Sequence, residues 1–283
     1  LQFPSPSLQD PARTIEHSRK FIGRWLDDPL VRPTVFPHAV YTCSTELLQQ
    51  AYALAEEFDL VFQIHLSETA AEVEQIREKF GLTPVRLLES LGCLSGRTLA
   101  AHCVHLDDEE IALLARTGVS VAHNAESNMK LASGIAPVPA MIAAGVNVTV
   151  GTDGCASNNN LDMISELSTV AKLHKVSTMD PTALDDCTAL ALATENAARA
   201  LKFMGGRIEP GRPADIITLD GRAPNLVPIY NPVSHVVYAA NGSNVRDVVI
   251  NGRIVVKDFT SLTVDEEALV RECRKIRKRI AGD

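Results

Sequence analysis

The sequence predicts an α/β fold: a (β/α)8 barrel of the TIM type, lacking its first strands, with a small β appendage at its C-terminal end. Three observations predict it. Short apolar, β-branched runs alternate with segments of helical periodicity, and alternation of that regularity builds a parallel sheet. Five successive strands end on a residue that can carry chemistry: His38, His65, His102, His123 and Asp153. An open doubly wound sheet places its site at one switch point, whereas a closed barrel gathers every strand's C-terminal end around one centre. From Gly205 onward the pattern changes to turns and short β runs. The expected organisation is a barrel over residues 1–204, a small β domain over 205–260 and a C-terminal helix over 261–283.

Taken in order, residues 1–3 read as the tail of a strand. Asp10 as N-cap and Pro11 at the first position predict a helix over 11–25. Residues 34–36 predict a short strand before His38. Ser44 is expected to cap a helix with Leu47, Leu48, Ala51 and Leu54 on one face. Residues 60–64 form the next expected strand, ending at His65, followed by helices over 70–80 and 84–91. The strand over 98–101 ends at His102, and Asp107 caps a helix running to Arg116. The strand over 119–122 ends at His123, before a polar loop with Asn124, Ser127 and Asn128. A short helix over 137–144 stops at Gly145. The apolar run 146–150 reads as a buried strand that stops at Gly151, with Asp153 just beyond. Helices are expected over 161–174 and, rich in alanine, over 189–201. In the appendage, β runs are expected at 214–219, 235–239, 245–250 and 253–256, with Asn251-Gly252 as a hairpin turn. Thr263 is expected to cap a last helix whose basic stretch, 271–279, forms a solvated face suited to the helix dipole.

Bulk properties exclude several classes. A net charge of −8, with no basic run outside the C-terminus, argues against nucleic acid as a partner. No apolar run is long enough to span a bilayer. None of the six cysteines forms a C-x-x-C pair, which points to free thiols and a reducing cytoplasm. An eight-stranded barrel takes about 250 residues. Here the barrel-like pattern ends near Leu201 with five clear strands, so an N-terminally incomplete barrel is expected.

Imidazole and carboxylate are ligands that zinc and iron accept. His65 and Asp153, at equivalent depth on separate strands, can share one ion. A lone His65 would read as a core histidine; the adjoining His65-x-x-Glu68 shifts the balance, because Glu68 lies where it can reach a substrate. His102 is placed to hydrogen-bond a hydroxide or polarise a substrate. His123 either orients its neighbours or is purely structural. His38, beside Tyr41, can line a pocket, while His17, His105, His174 and His235 read as ordinary structural or surface residues. There is no Walker loop, G-x-S-x-G or H-E-x-x-H.

The stretches Phe36-Pro37-His38, Ile64-His65-Leu66-Ser67-Glu68-Thr69, Ala101-His102-Cys103-Val104-His105 and Gly151-Thr152-Asp153-Gly154 resemble the amidohydrolase superfamily. So do His123-Asn124-Ala125-Glu126-Ser127-Asn128 and Gly206-x-Ile208-x-x-Gly211. Within it the chain is most similar to the 5-methylthioadenosine/S-adenosylhomocysteine deaminases, with the chlorohydrolases close by. Val40 and Ala125 stand where that family usually has prolines, and its paired His-x-His ligands occur nowhere in this chain.

The resemblance implies a zinc site, with iron as the alternative, held by His65 and Asp153 and incomplete in this chain. It implies Glu68, His102 and Asp153 as catalytic groups, and His38, Glu68, Ser157 and Arg13 as substrate contacts. The implied reaction is hydrolytic deamination of an adenine nucleoside, a small-molecule substrate, by an enzyme that is monomeric or a homo-oligomer. Two other readings stay open: a triazine- or guanine-directed amino- or chlorohydrolase, and a binding protein without a working metal site.

Overall fold

Residues 10–282 are described by the structure, a computed structural model. Local sequence sets the helix starts. Asp10 accepts from Ala12 N–H at a short 3-10 turn, Pro11–Arg13, which leads into α1 (Thr14–Trp25). Ser44 caps α2 (Thr45–Glu57) by accepting from Leu47 N–H, and β1 (Phe62–Leu66) follows. Thr69 and Thr83 cap α3 (Ala70–Phe80) and α4 (Pro84–Ser90) in the same way. After β2 (Thr98–His102), Asp107 and Glu110 close a reciprocal capping box on α5 (Asp108–Thr117). Then come β3 (Ser120–His123), α6 (Ala125–Lys130), α7 (Val138–Ala143) and β4 (Asn147–Val150). Asp162 accepts from two N–H groups at the start of α8 (Met163–Thr178), which is followed by α9 (Asp186–Ala193) and α10 (Glu195–Ala200).

β1 to β4 pair in sequence order as one parallel sheet. Residues 34–36, expected as a strand, form no strand; isolated parallel bridges, Val35 to Phe62 and Ala39 to His65, run along β1 instead. The sheet is buried on both faces, as parallel sheets are. Ile64, Leu66, Ala100, Val121, Val148 and Val150 join the helices in one continuous core. On the opposite face Val61 and Leu99 pack with Ala122 and Ala200. The outer side of β4 is covered by α9 and α10: Asn196 Nδ2 donates to Val148 O at 2.9 Å, and Thr149 Oγ1 donates to Leu192 O at 2.7 Å. No helix among the described residues is long and apolar enough to cross a membrane.

The second sheet is antiparallel. It joins β5 (Ile216–Leu219), β6 (Val245–Ile250), β7 (Arg253–Lys257) and β8 (Thr260–Ser261) in that order, with α11 (Pro232–Tyr238) inserted after β5 and α12 (Glu266–Ala281) last. Asn251 and Gly252 take φ of 47° and 75°, the pair of left-handed residues that a tight hairpin needs.

Four expectations fail for local reasons. Residues 235–239 lie on or just after a helix, because Asn231 accepts from Val233 and Ser234 N–H and Pro232 pre-sets the first turn. The segment after His123 is helical, not a loop. The last helix is capped by Asp265, two residues beyond Thr263. The alanine-rich helix breaks at Thr194, whose backbone leaves the helical region at φ −120° and ψ −91°. The turn at Gly206 packs into that break: its φ is +80°, and a Cβ there would stand 2.6 Å from Thr194 O. Gly145 also has positive φ, +87°, but faces open space. Gly206→Ala is therefore expected to destabilise the protein by about 2–3 kcal/mol and Gly145→Ala by about 1 kcal/mol. Urea unfolding measures both, and equal effects at the two positions would contradict the packing argument.

Candidate active site

Parallel pairing brings all four strand ends to one edge of the sheet. Leu66 is level with His102, and His123 with Val150, so Asp153 emerges one turn beyond. The backbone bends sharply there. His38, Ser67, His102 and Asp153 take φ of 74°, 50°, 72° and 60°, values that cost a non-glycine residue about 1–3 kcal/mol each. These turns redirect side chains that plain strand alternation would send elsewhere.

A chain of hydrogen bonds fixes the imidazoles. His102, almost fully buried, directs Nδ1 to Asn128 Oδ1 at 2.9 Å. His102 Nε2 lies 3.0 Å from His65 Nδ1. His65 Nε2 has no protein partner among the described residues. Burial, reinforced by the neighbouring His102 and His38, pulls His65 down to about 4, so it is neutral at pH 7.

Asp153 Oδ2 accepts from Ser127 Oγ at 2.8 Å and Ser157 Oγ at 2.6 Å. Burial works to raise this carboxyl, but the two hydroxyls and the Gly154 N–H outweigh it, and Asp153 stays below the usual carboxylate range. Glu68 Oε2 stands 3.8 Å from His102 Nε2, and its Oε1 accepts from Ser133 Oγ at 3.3 Å. The turn carrying Glu68 is held from behind by Glu72, which accepts from Ser67 and Glu68 N–H at 3.2 and 2.7 Å. Burial pushes Glu72 up to about 7.

The structure thus brings His65, His102 and Glu68 together, with Asp153 close enough to favour the charged form of His65. His38 joins them: its ring centroid is 5.1 Å from that of His65, and Nδ1 meets Thr42 Oγ1 at 2.7 Å. Ser157 lies at the site as a donor to Asp153. Arg13 is exposed on its 3-10 turn and pairs with Glu16 at 3.1 Å. Asn128, Ser127 and Glu72 orient the site, and sequence reading gave them no such role. The first two share the polar stretch after His123, but only the helical turn of α6 aims them at His102 and Asp153. Four buried polar atoms lack a protein partner among the described residues: Ser67 Oγ, His123 Nδ1, Asn124 Oδ1 and Asn128 Nδ2. All lie on residues at this end of the sheet.

Parallel strands thus deliver histidine, glutamate and aspartate, side chains of the types a metal ion accepts, to one end of the sheet. A family model described as the amidohydrolase family matches residues 2–255, and the chain belongs to that family. It is 50% identical over 281 residues to a 5-methylthioadenosine/S-adenosylhomocysteine deaminase of Syntrophobacter fumaroxidans, covering 98% of this chain and 64% of that protein. Its structure superposes on an adenosine deaminase from Xanthomonas campestris with bound zinc at a TM-score of 0.97 and 38% identity, covering 100% of this chain and 65% of that one. It also resembles a zinc-complexed atrazine chlorohydrolase from Arthrobacter aurescens, at a TM-score of 0.85 and 26% identity over 95% of this chain and 61% of the other. The chain therefore spans a little under two thirds of each.

Behind the site, His123 Nε2 and His174 Nε2 lie 3.2 Å apart, both buried. His174, expected to be an ordinary helix residue, is thus the partner of a strand-end histidine. Burial pulls His123 down to about 3 and His174 to about 4. An unfolded histidine titrates near 6.5, so as pH falls through that value the unfolded chain gains protons that the native pair refuses. The stability of the pair is intact above about pH 6.5 and is lost progressively toward pH 4. A His123→Leu/His174→Leu double variant lacks this penalty. Its Tm is expected to fall less than that of the wild type between pH 7 and pH 5; parallel Tm curves would contradict the neutral pair.

Proposed function

We propose that the protein is a metal-dependent hydrolytic deaminase of adenine nucleosides, acting at the strand ends that carry His65, Glu68, His102 and Asp153. The observation that supports this reading is the Asn128–His102–His65 hydrogen-bond chain, which leaves His65 Nε2 without a protein partner and within the field of Asp153, a carboxyl held below the usual carboxylate range. A neutral imidazole and a carboxylate are the donor types that catalytic zinc takes. His65 and Asp153 would hold the ion. Catalytic zinc usually has three protein ligands, and no third His, Cys, Asp or Glu donor among the described residues clusters with these two. Two ligands would hold zinc more weakly than three. When bound, the metal supplies a nucleophilic oxygen at neutral pH by lowering the pKa of its water to about 7.

The side chains do the rest. Asp153, kept ionised by its two hydroxyl donors, accepts the proton of the attacking water. Glu68 hands a proton to the ring nitrogen next to the amine-bearing carbon as the water oxygen bonds to that carbon; Asp153 returns the first water proton to the amine, the C–N bond breaks and ammonia leaves, and Glu68 takes back the second water proton as the carbonyl forms. His102 steadies the attacking oxygen. His38 contacts the nucleoside. Related proteins named as deaminases of adenine nucleosides support the substrate class.

The likeness to an atrazine chlorohydrolase favours a second reading, displacement on a triazine ring by the same groups. Steady-state kinetics on the intact protein separates the two. The kcat/KM for 5-methylthioadenosine or S-adenosylhomocysteine is expected to exceed that for atrazine, and the reverse ratio would move the protein to the triazine hydrolases. Glu68→Gln keeps the shape but cannot carry the proton. It is expected to lower kcat by at least about 10²-fold while zinc content stays at the wild-type level. Loss of zinc in step with activity would make Glu68 a metal ligand instead.

A further inference from the structure

The groups that orient the proposed site sit on two short segments. One is α6, whose Ser127 and Asn128 hold Asp153 and His102. The other is the loop 154–160, whose Ser157 gives Asp153 its second hydroxyl. Neither segment is anchored by apolar packing alone. α6 has no side-chain cap from the residue before it, and the loop contains Gly154, Ala156 and three successive asparagines.

Two carboxylates tie these segments to α8. Glu166, fully buried on α8, accepts from the Glu126 N–H at the start of α6 at 3.2 Å, and Asn158 Nδ2 lies 3.5 Å from its other oxygen. Glu126 in turn accepts from Thr169 Oγ1 of α8 at 2.8 Å, from Asn160 Nδ2 at 3.0 Å and from Asn158 Nδ2 at 3.3 Å. Asn158 is itself buried, and its N–H donates to Gly154 O at 2.8 Å. The same few atoms therefore fix α6, the loop and α8 relative to one another. A fully buried carboxylate is costly unless its bonds do something that an apolar side chain could not. Here it satisfies the otherwise uncapped first turn of α6 and an amide of the loop at once. Burial, opposed by the Glu126 N–H and reinforced by the nearby Glu126 carboxylate, pushes Glu166 up to about 7.

We infer that Glu166 is a positioning residue: it sets α6 and the loop 154–160 so that Ser127, Ser157 and Asn128 hold Asp153 and His102 in their working orientations. It touches neither substrate nor reacting atoms. The inference rests on the deaminase reading for its kinetic consequence, but not for its structural one.

The test compares Glu166→Ala, which removes both bonds, with Glu166→Gln, whose carbonyl can still accept from the Glu126 N–H. Both are made in the intact protein and examined by backbone hydrogen exchange and by kinetics. Exchange in Glu166→Ala is expected to rise at least about 10-fold in 125–131 and 154–160 while 62–66 and 98–102 stay as in the wild type. The kcat for the adenine nucleoside is expected to fall by about 100-fold, as a misplacement of the order of an ångström does, with KM within about 2-fold. Glu166→Gln is expected to recover most of both. Faster exchange spread evenly over the sheet, unchanged exchange in the two segments, or a Glu166→Ala enzyme with wild-type kcat would overturn the inference. If the wild type turns over no adenine nucleoside, the deaminase reading fails, and the exchange pattern alone decides the role of Glu166.

Discussion

A parallel ladder constrains everything else in this protein. Each strand of the first sheet can be followed by another in the same direction only if the chain returns through a helix. All carboxyl ends then emerge along one edge, and that is where His65, His102, His123 and Asp153 lie. Register sets the depth at which each arrives. The left-handed backbone at His38, His102 and Asp153 sets the direction. These bends are unfavourable locally and are held by a sheet buried on both faces.

The electrostatics of the site follow from that burial. Taking imidazoles out of water disfavours their charged form, which keeps His65, His123 and His174 neutral at physiological pH. Asp153 escapes the opposite fate because three donors converge on it. A neutral imidazole near an ionised carboxylate suits metal chemistry, and it arises here from burial and local hydrogen bonds rather than from net charge. The chain of bonds begins at Asn128, which holds His102, which in turn meets His65.

Much of this architecture was legible in the sequence, and what was not has physical causes. Apolar β-branched runs followed by a lone histidine or aspartate marked β1 to β4, capping residues marked α2 and α5, and helical runs placed α3 and α4 to within a residue or two. The run His-Val-Val-Tyr before Ala239 read as a strand because four residues of apolar character cannot separate the two periodicities. Asn231 and Pro232, just upstream, decide for helix. Residues 34–36 look like a strand but supply only single bridges. His65, Glu68, His102 and Asp153 stood out because they end strands. Asn128, Ser127, His174 and Glu166 did not, because their partners lie far away in sequence: Asn128 reaches His102, and Glu166 reaches Glu126. Tertiary hydrogen bonds of this kind leave no local pattern.

The central claim is that the strand-end groups form one metal-binding site, with His65 and Asp153 as ligands. Anomalous diffraction at the zinc edge, from crystals of the intact protein grown with zinc, tests it most directly. The account expects a peak within about 2.2 Å of His65 Nε2 and of an Asp153 carboxylate oxygen. Zinc found only at the Asp185, Asp186 and Cys187 cluster, with His65 and Asp153 unliganded, would contradict it.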